Sequence, residues 1–185
     1  MIEFKELPVL TKRSLLHVFF SGKQGDYSTN HFHFQGKDYD AGYSRLFVRD
    51  TTNQWYNTED YSNAVLRIRE RCSMFEDVIF IGSSMGGYGA LKFALDFRPR
   101  KVLAFSPQVE TPFGPDLSYL YSNVMERPEI EIHLCRTSKN KNWDDLGAAQ
   151  KMSFCSKIIK HDCDDHNCAE ILKNKGKLRE IILNA

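Results

Sequence analysis

A serine sits between flanking glycines in Gly82-Ser83-Ser84-Met85-Gly86, and Gly87 follows. The pattern is G-x-S-x-G. Before it runs Val78-Ile79-Phe80-Ile81, an apolar, β-branched stretch that reads as a strand. After it, Ala90, Leu91, Ala94 and Leu95 recur at helical spacing. At such a strand-to-helix bend the serine backbone is strained and its hydroxyl points outward, where it can attack an acyl carbon. The glycines leave room where strand and helix nearly touch. The plainer alternative is a glycine-rich bend without chemistry. The flanking strand and helix patterns favour the nucleophile.

A serine hydroxyl attacks poorly until a neighbouring base takes its proton. Histidine is the usual base, because it titrates near neutrality. An acid then holds the imidazole in its useful tautomer. The strand-like run Ile130-Glu131-Ile132-His133-Leu134 leads into a polar stretch ending in Trp143-Asp144-Asp145, with a helix from about Leu146. The run Phe154 to Ile159 leads into His161-Asp162-Cys163-Asp164-Asp165-His166, with a helix from about Asn167. In a parallel sheet, functional groups gather in loops at the carboxyl ends of strands. The chain order nucleophile, acid, histidine suits the strand–turn–helix version. The expected triad is therefore Ser84, Asp145 and His166, with Asp144 and His161 as alternatives. Either aspartate also suits a helix N-cap.

Two backbone N–H groups should face the developing oxyanion. Met85, directly after the nucleophile, is one. Gly22 or Lys23, in the turn after the first strand, is the other. Trp55 and Tyr56 could wall a substrate site or serve as core aromatics. His17 and His133 read as strand residues, and His31 and His33 as loop surface. The segment from His161 to Cys168 is dense in ligand types but fits no common zinc spacing, so no metal is expected.

These side chains need a scaffold. Apolar runs at 15–20, 46–48, 78–81, 102–105, 130–134 and 154–159 alternate with helix-like segments. Several are apolar on both faces, as covered parallel strands are. A helix is expected from about Thr58, its N-cap, to Cys72, with Tyr61, Ala64, Val65, Ile68 and Cys72 on one stripe. Arg98-Pro99 should end the helix after Ser84. Two irregular stretches, Ser21 to Tyr43 and Thr111 to Pro128, are long enough to be functional loops. The expected fold is α/β: a three-layer sandwich with a mostly parallel sheet of about six strands, in a single domain over residues 1–185.

Lys and Arg total 25 against 24 for Asp and Glu, so no field draws the chain to nucleic acid or an anionic membrane. No stretch approaches the ~20 apolar residues that cross a bilayer. The mixed charges of Met1 to Ser14 do not read as a signal peptide. Five cysteines, an odd number without a scaffold pattern, point to a reducing cytoplasm.

Together these residues resemble the α/β-hydrolase-fold serine enzymes. Gly82 to Gly86 is similar to the nucleophile elbow, and Ser21-Gly22 stands where the family often has His-Gly. Asp145-Leu146-Gly147-Ala148-Ala149 resembles the acid loop, and His166 the terminal histidine. The family usually has eight strands, so about six implies a minimal version lacking the first two. The stretch Gly82 to Leu91, with Ala104-Phe105-Ser106-Pro107-Gln108, is similar to small bacterial members linked to surface-polysaccharide pathways. Some of those are capsule O-acetyltransferases. The resemblance implies a cofactor-free acyl hydrolase, esterase or thioesterase, acting on a small-molecule ester, thioester or acylated sugar. Its alternative is an O-acetyltransferase moving acetyl from acetyl-CoA to a sugar hydroxyl. A third reading is a non-catalytic binding module on the same fold.

Overall fold

Runs of β-branched and aromatic residues form the strands, and the turns between them place the chemistry. In chain order the elements are strands β1 (Ile2–Leu7), β2 (Leu15–Phe20) and β3 (Ser44–Asp50), helix α1 (Tyr61–Cys72), β4 (Asp77–Ser83), α2 (Met85–Phe97), β5 (Lys101–Phe105) and α3 (Leu117–Ser122). Then follow β6 (Glu129–Cys135), β7 (Lys139–Asn140), β8 (Trp143–Asp144), β9 (Lys157–His161), α4 (Cys168–Asn174) and α5 (Leu178–Leu183). The computed structural model describes residues 1–8, 14–23, 34, 43–111, 113–122, 124, 126–135, 139–140, 143–144, 147, 151–163 and 165–185.

Seven strands make the main sheet, in the order β1-β3-β2-β4-β5-β6-β9. All neighbours are parallel except β1, which runs antiparallel to β3. The sheet thus has one strand more than the six expected. The extra strand is β1, at the edge. An antiparallel edge strand needs only one apolar face, so Ile2 and Phe4 pack on the core while Glu3 pairs with Arg49. That alternation with charges hides it among the mixed residues of the amino terminus. β7 and β8 form a separate two-stranded hairpin.

Both sheet faces are covered. Val18, Phe20, Leu46, Phe80, Ala104 and Ile132 meet α1, α2 and α3 in one core. Phe19, Phe47, Ile81, Leu103 and Phe105 meet α4 and α5 in the other. This is the three-layer arrangement that unbroken apolar strands require.

Three local expectations are corrected. The residue before α1 is Asp60, not Thr58: Ala64 N donates to Asp60 O at 2.9 Å, and the buried Thr58 Oγ1 caps nothing. The last strand begins at Lys157, and Phe154 instead stacks on Tyr121 at 4.2 Å. Cys135 and Cys163 form a disulfide, which the cysteine count did not signal. The pairing of Cys135 opposite His161 in the β6–β9 register brings the two sulfurs together.

Candidate active site

The bend between β4 and α2 is too tight for side chains at its glycines. A Cβ on Gly82 would strike the Gly86 carbonyl, and one on Gly86 would strike the Phe20 carbonyl. The second contact holds the amino end of α2 against the end of β2. Ser84 lies between them with φ 55° and ψ −121°, a conformation that L-residues rarely adopt. Its N–H donates to the Phe105 carbonyl at 2.9 Å, and its carbonyl accepts from Tyr88 N at 3.1 Å. The neighbouring strand and the helix's own first turn thus hold the strain in place.

His166 Nε2 lies 2.8 Å from Ser84 Oγ. His166 belongs to the segment linking β9 to α4, and its carbonyl accepts from Cys168 N at 2.8 Å. The Cys135–Cys163 bond ties the start of that segment to the end of β6. His161 points elsewhere. Its Nε2 is 2.8 Å from Nδ1 of His133, and the two rings stack at 5.1 Å. His133 Nε2 in turn contacts Glu131 Oε1 at 2.8 Å. Burial pushes the His133 imidazole down to about 4, against the opposing pull of Glu131. Burial also lowers His161, with help from Lys177 and Lys175. The structure therefore brings His166, not His161, to the serine.

Asp144 lies in β8, opposite Lys139. Asp145 lies outside the described residues, as do His31 and His33.

Met85 is the first residue of α2. Its N–H has no partner within the helix and stands at the positive end of the helix dipole. Across from it, the turn after β2 is anchored twice. Ser21 N donates to Val48 O at 2.9 Å, and Tyr56 Oη donates to Ser21 O at 2.8 Å. Gly22 is buried in that turn and Lys23 is exposed.

The loop after β3 is organised by one carboxylate. Buried Asp50 accepts from Thr52 N at 2.9 Å, Gln54 N at 2.7 Å and Tyr56 N at 3.0 Å. These bonds bracket Trp55 and Tyr56, whose φ values are 53° and 58°. Lys92 Nζ closes the loop by donating to Tyr56 O at 2.9 Å, and burial pulls this ammonium down to about 8. Tyr56 is fully enclosed, and its hydroxyl serves the Ser21 turn. The Trp55 ring stacks on half-exposed Phe113 at 4.7 Å. Its indole N–H donates to Gln108 Oε1 at 3.0 Å.

Gln108 is the residue whose role the sequence reading missed. Its Oε1 also accepts from Ser84 Oγ at 3.2 Å. A signal existed: Gln108 follows Ser106-Pro107 at the carboxyl end of β5, beside the nucleophile strand, where site groups gather.

The sulfurs of Cys135, Cys163 and Cys168 lie within 4.8 Å of one another. In the structure the disulfide joins two of them, and Cys168 is the free thiol beside it. What the arrangement can do chemically is acyl transfer: a hydroxyl, an imidazole in contact with it, and a helix amino end beside both.

No family model matches the chain, and no curated protein matches it. Solved structures do. The capsule O-acetyltransferase of Neisseria meningitidis serogroup A superposes with a TM-score of 0.74 at 15% identity, over 100% of this chain and 92% of that one. A mutant of that enzyme, solved in complex with CoA, gives 0.66 at 12% identity over 98% and 89%. An S-formylglutathione hydrolase from Agrobacterium tumefaciens gives 0.66 at 15% identity, over 98% and 87%. The fold is that of the α/β-hydrolases. Within that class the chain is similar in architecture to the capsule O-acetyltransferase and to the S-formylglutathione hydrolase. Among the described residues, no helix is long and apolar enough to cross a membrane.

Proposed function

We propose that the protein is a serine-dependent acyl-transfer enzyme working through an acyl-enzyme, with hydrolysis of a small ester or thioester as its reaction. The observation that carries this reading is the 2.8 Å contact between His166 Nε2 and Ser84 Oγ. Ser84 attacks the acyl carbonyl while His166 takes its proton and then gives it to the leaving group. Asp145 orients His166. Met85 N–H and a second N–H, from Gly22 or Lys23, hold the oxyanion. Burial of Gly22 in a turn fixed by Tyr56 favours it over Lys23 as donor. Water then repeats the attack, and His166 again serves as base. Trp55 belongs to this reading as a wall of the acceptor side, through its stack on Phe113.

A second reading replaces water by a sugar hydroxyl and takes acetyl from acetyl-CoA. The architecture shared with the capsule O-acetyltransferase, one form of which binds CoA, favours it. Thiol release from acetyl-CoA with and without sugar acceptors tests both. Release without an acceptor supports the hydrolase, and acceptor-dependent release the transferase. No release from any acyl donor removes both and leaves a binding module.

A cytoplasmic home belongs to the same proposal. There the Cys135–Cys163 pair would stand as thiols. Protein trapped from cells would then show five free thiols. A count of three, as in the structure, would oppose it.

A further inference from the structure

Gln108 carries a carboxamide that the proton transfers above do not use. It is 7% exposed. Its Oε1 accepts from Trp55 Nε1 at 3.0 Å and from Ser84 Oγ at 3.2 Å. An indole N–H can only donate, so it fixes which end of the amide faces it: the oxygen. Asp50 holds the indole in place through the amides of Gln54 and Tyr56 on either side. The orientation of the carboxamide is therefore built into the loop.

A carboxamide oxygen has two lone pairs. Trp55 takes one, and the Ser84 hydroxyl takes the other only while its proton is turned away from His166. The single Ser84 proton has two acceptors in reach, Gln108 Oε1 and His166 Nε2. Acylation changes this count. The proton leaves through His166, and Ser84 Oγ becomes an ester oxygen with nothing to donate. One lone pair of Gln108 Oε1 then stands empty in a buried position beside the acyl group, and such an acceptor is costly to leave unpaired.

The nucleophile that releases the acyl group must give one proton to His166. Water keeps a second proton for Gln108. A monohydric alcohol has none. A vicinal diol has one, on the neighbouring hydroxyl.

We propose that Gln108 is a specificity-determining residue that selects the deacylating acceptor, admitting water or a vicinal diol of a sugar and disfavouring simple alcohols. The proposal rests on the acyl-enzyme reading given above. In the step itself the acceptor O–H bond breaks and its proton passes to His166 Nε2. The acceptor oxygen bonds to the acyl carbon, the Ser84 Oγ–acyl bond breaks, and the proton returns from His166 to Ser84 Oγ. Gln108 transfers nothing. It accepts a hydrogen bond throughout.

The test partitions one acetyl-enzyme, formed from p-nitrophenyl acetate, between ethanol and ethylene glycol. The readout is the ratio of ethyl acetate to glycol monoacetate at equal hydroxyl concentration. Because both products come from one intermediate, the ratio does not depend on how fast acylation runs. The wild type should favour glycol by about tenfold, the worth of one hydrogen bond to a buried acceptor. Gln108→Leu should bring the ratio close to unity. Trp55→Phe, which frees the amide to turn its NH2 toward the acceptor, should lower it as well and serves if the leucine variant fails to fold. A wild type without preference, or variants that keep the wild-type ratio, would overturn the proposal while the acyl-enzyme stands. Release of nitrophenolate by the wild type no faster than by Ser84→Ala would overturn the acyl-enzyme reading and this proposal with it.

Discussion

His166 Nε2 meets Ser84 Oγ at 2.8 Å across 82 residues of chain. Neither residue is placed by its immediate sequence alone. Ser84 is fixed by the end of β4 and its bond to the end of β5. His166 is fixed by the crossing from β9 into α4, which the Cys135–Cys163 bond ties to β6. The pair is therefore a product of the parallel sheet, whose carboxyl ends bring distant loops to one place.

Replacing either member should remove activity and leave the fold. We expect Ser84→Ala to lower kcat by about four orders of magnitude or more, as loss of a triad nucleophile does. His166→Ala should act alike. The thermal midpoint should stay close to that of the wild type in both, since neither side chain fills the core. Assay of an acyl donor beside a thermal melt checks both halves.

Gly86→Val should have the opposite character. Its Cβ would collide with the Phe20 carbonyl, and backbone cannot yield there without separating α2 from β2. The expected loss is about 3 kcal/mol or more, in the range reserved for severe core disruption. Urea denaturation, or absence of soluble protein, reads it. Normal stability of this variant would contradict the bend geometry.

Asp50→Ala tests the loop that carries Trp55. The buried carboxylate satisfies three backbone N–H groups and the Thr52 hydroxyl. Its removal leaves those donors without a partner, at an expected cost of about 3 kcal/mol. The loop supports the Ser21 turn through Tyr56, so activity should fall as well. Tyr56→Phe should reproduce a smaller part of both effects, about 1 kcal/mol in stability.

Acid should weaken the fold through His17 and His133. Burial holds both near 4 in the folded protein, below the 6.5 of an exposed histidine; Arg100 and Arg45 add to the effect at His17. Unfolding therefore takes up protons between pH 6.5 and about 4. Their contribution is undiminished above the upper value and is lost as pH falls through the window. Each fully differential proton is worth about 1.4 kcal/mol per pH unit. Urea midpoints across this range should fall with pH, and His17→Gln should flatten the slope.

What the sequence disclosed follows from how local each constraint is. The Ser84 bend is written in adjacent residues, because glycine, strand and helix signals all fall within one short stretch. The unbroken apolar runs likewise announce a covered parallel sheet. His166 was legible by its place between a strand and a helix, although His161 was a competitor until the fold stacked its ring on His133. β1 was hidden because an edge strand alternates with charge. Cys135 and Cys163 meet only through a long-range strand pairing. Thr58 offered a cap by residue type, but the turn ahead of α1 gave that position to Asp60. Gln108 has no motif of its own: its meaning comes from Trp55 and Ser84 converging on one oxygen.

The most direct test is to treat the folded protein with a fluorophosphonate and read the intact mass and the modified peptide. The account predicts one adduct per chain, on Ser84, absent from Ser84→Ala and formed at least a hundredfold more slowly, roughly, in His166→Ala. A folded wild type that takes up no label, or takes it at another residue, would contradict it.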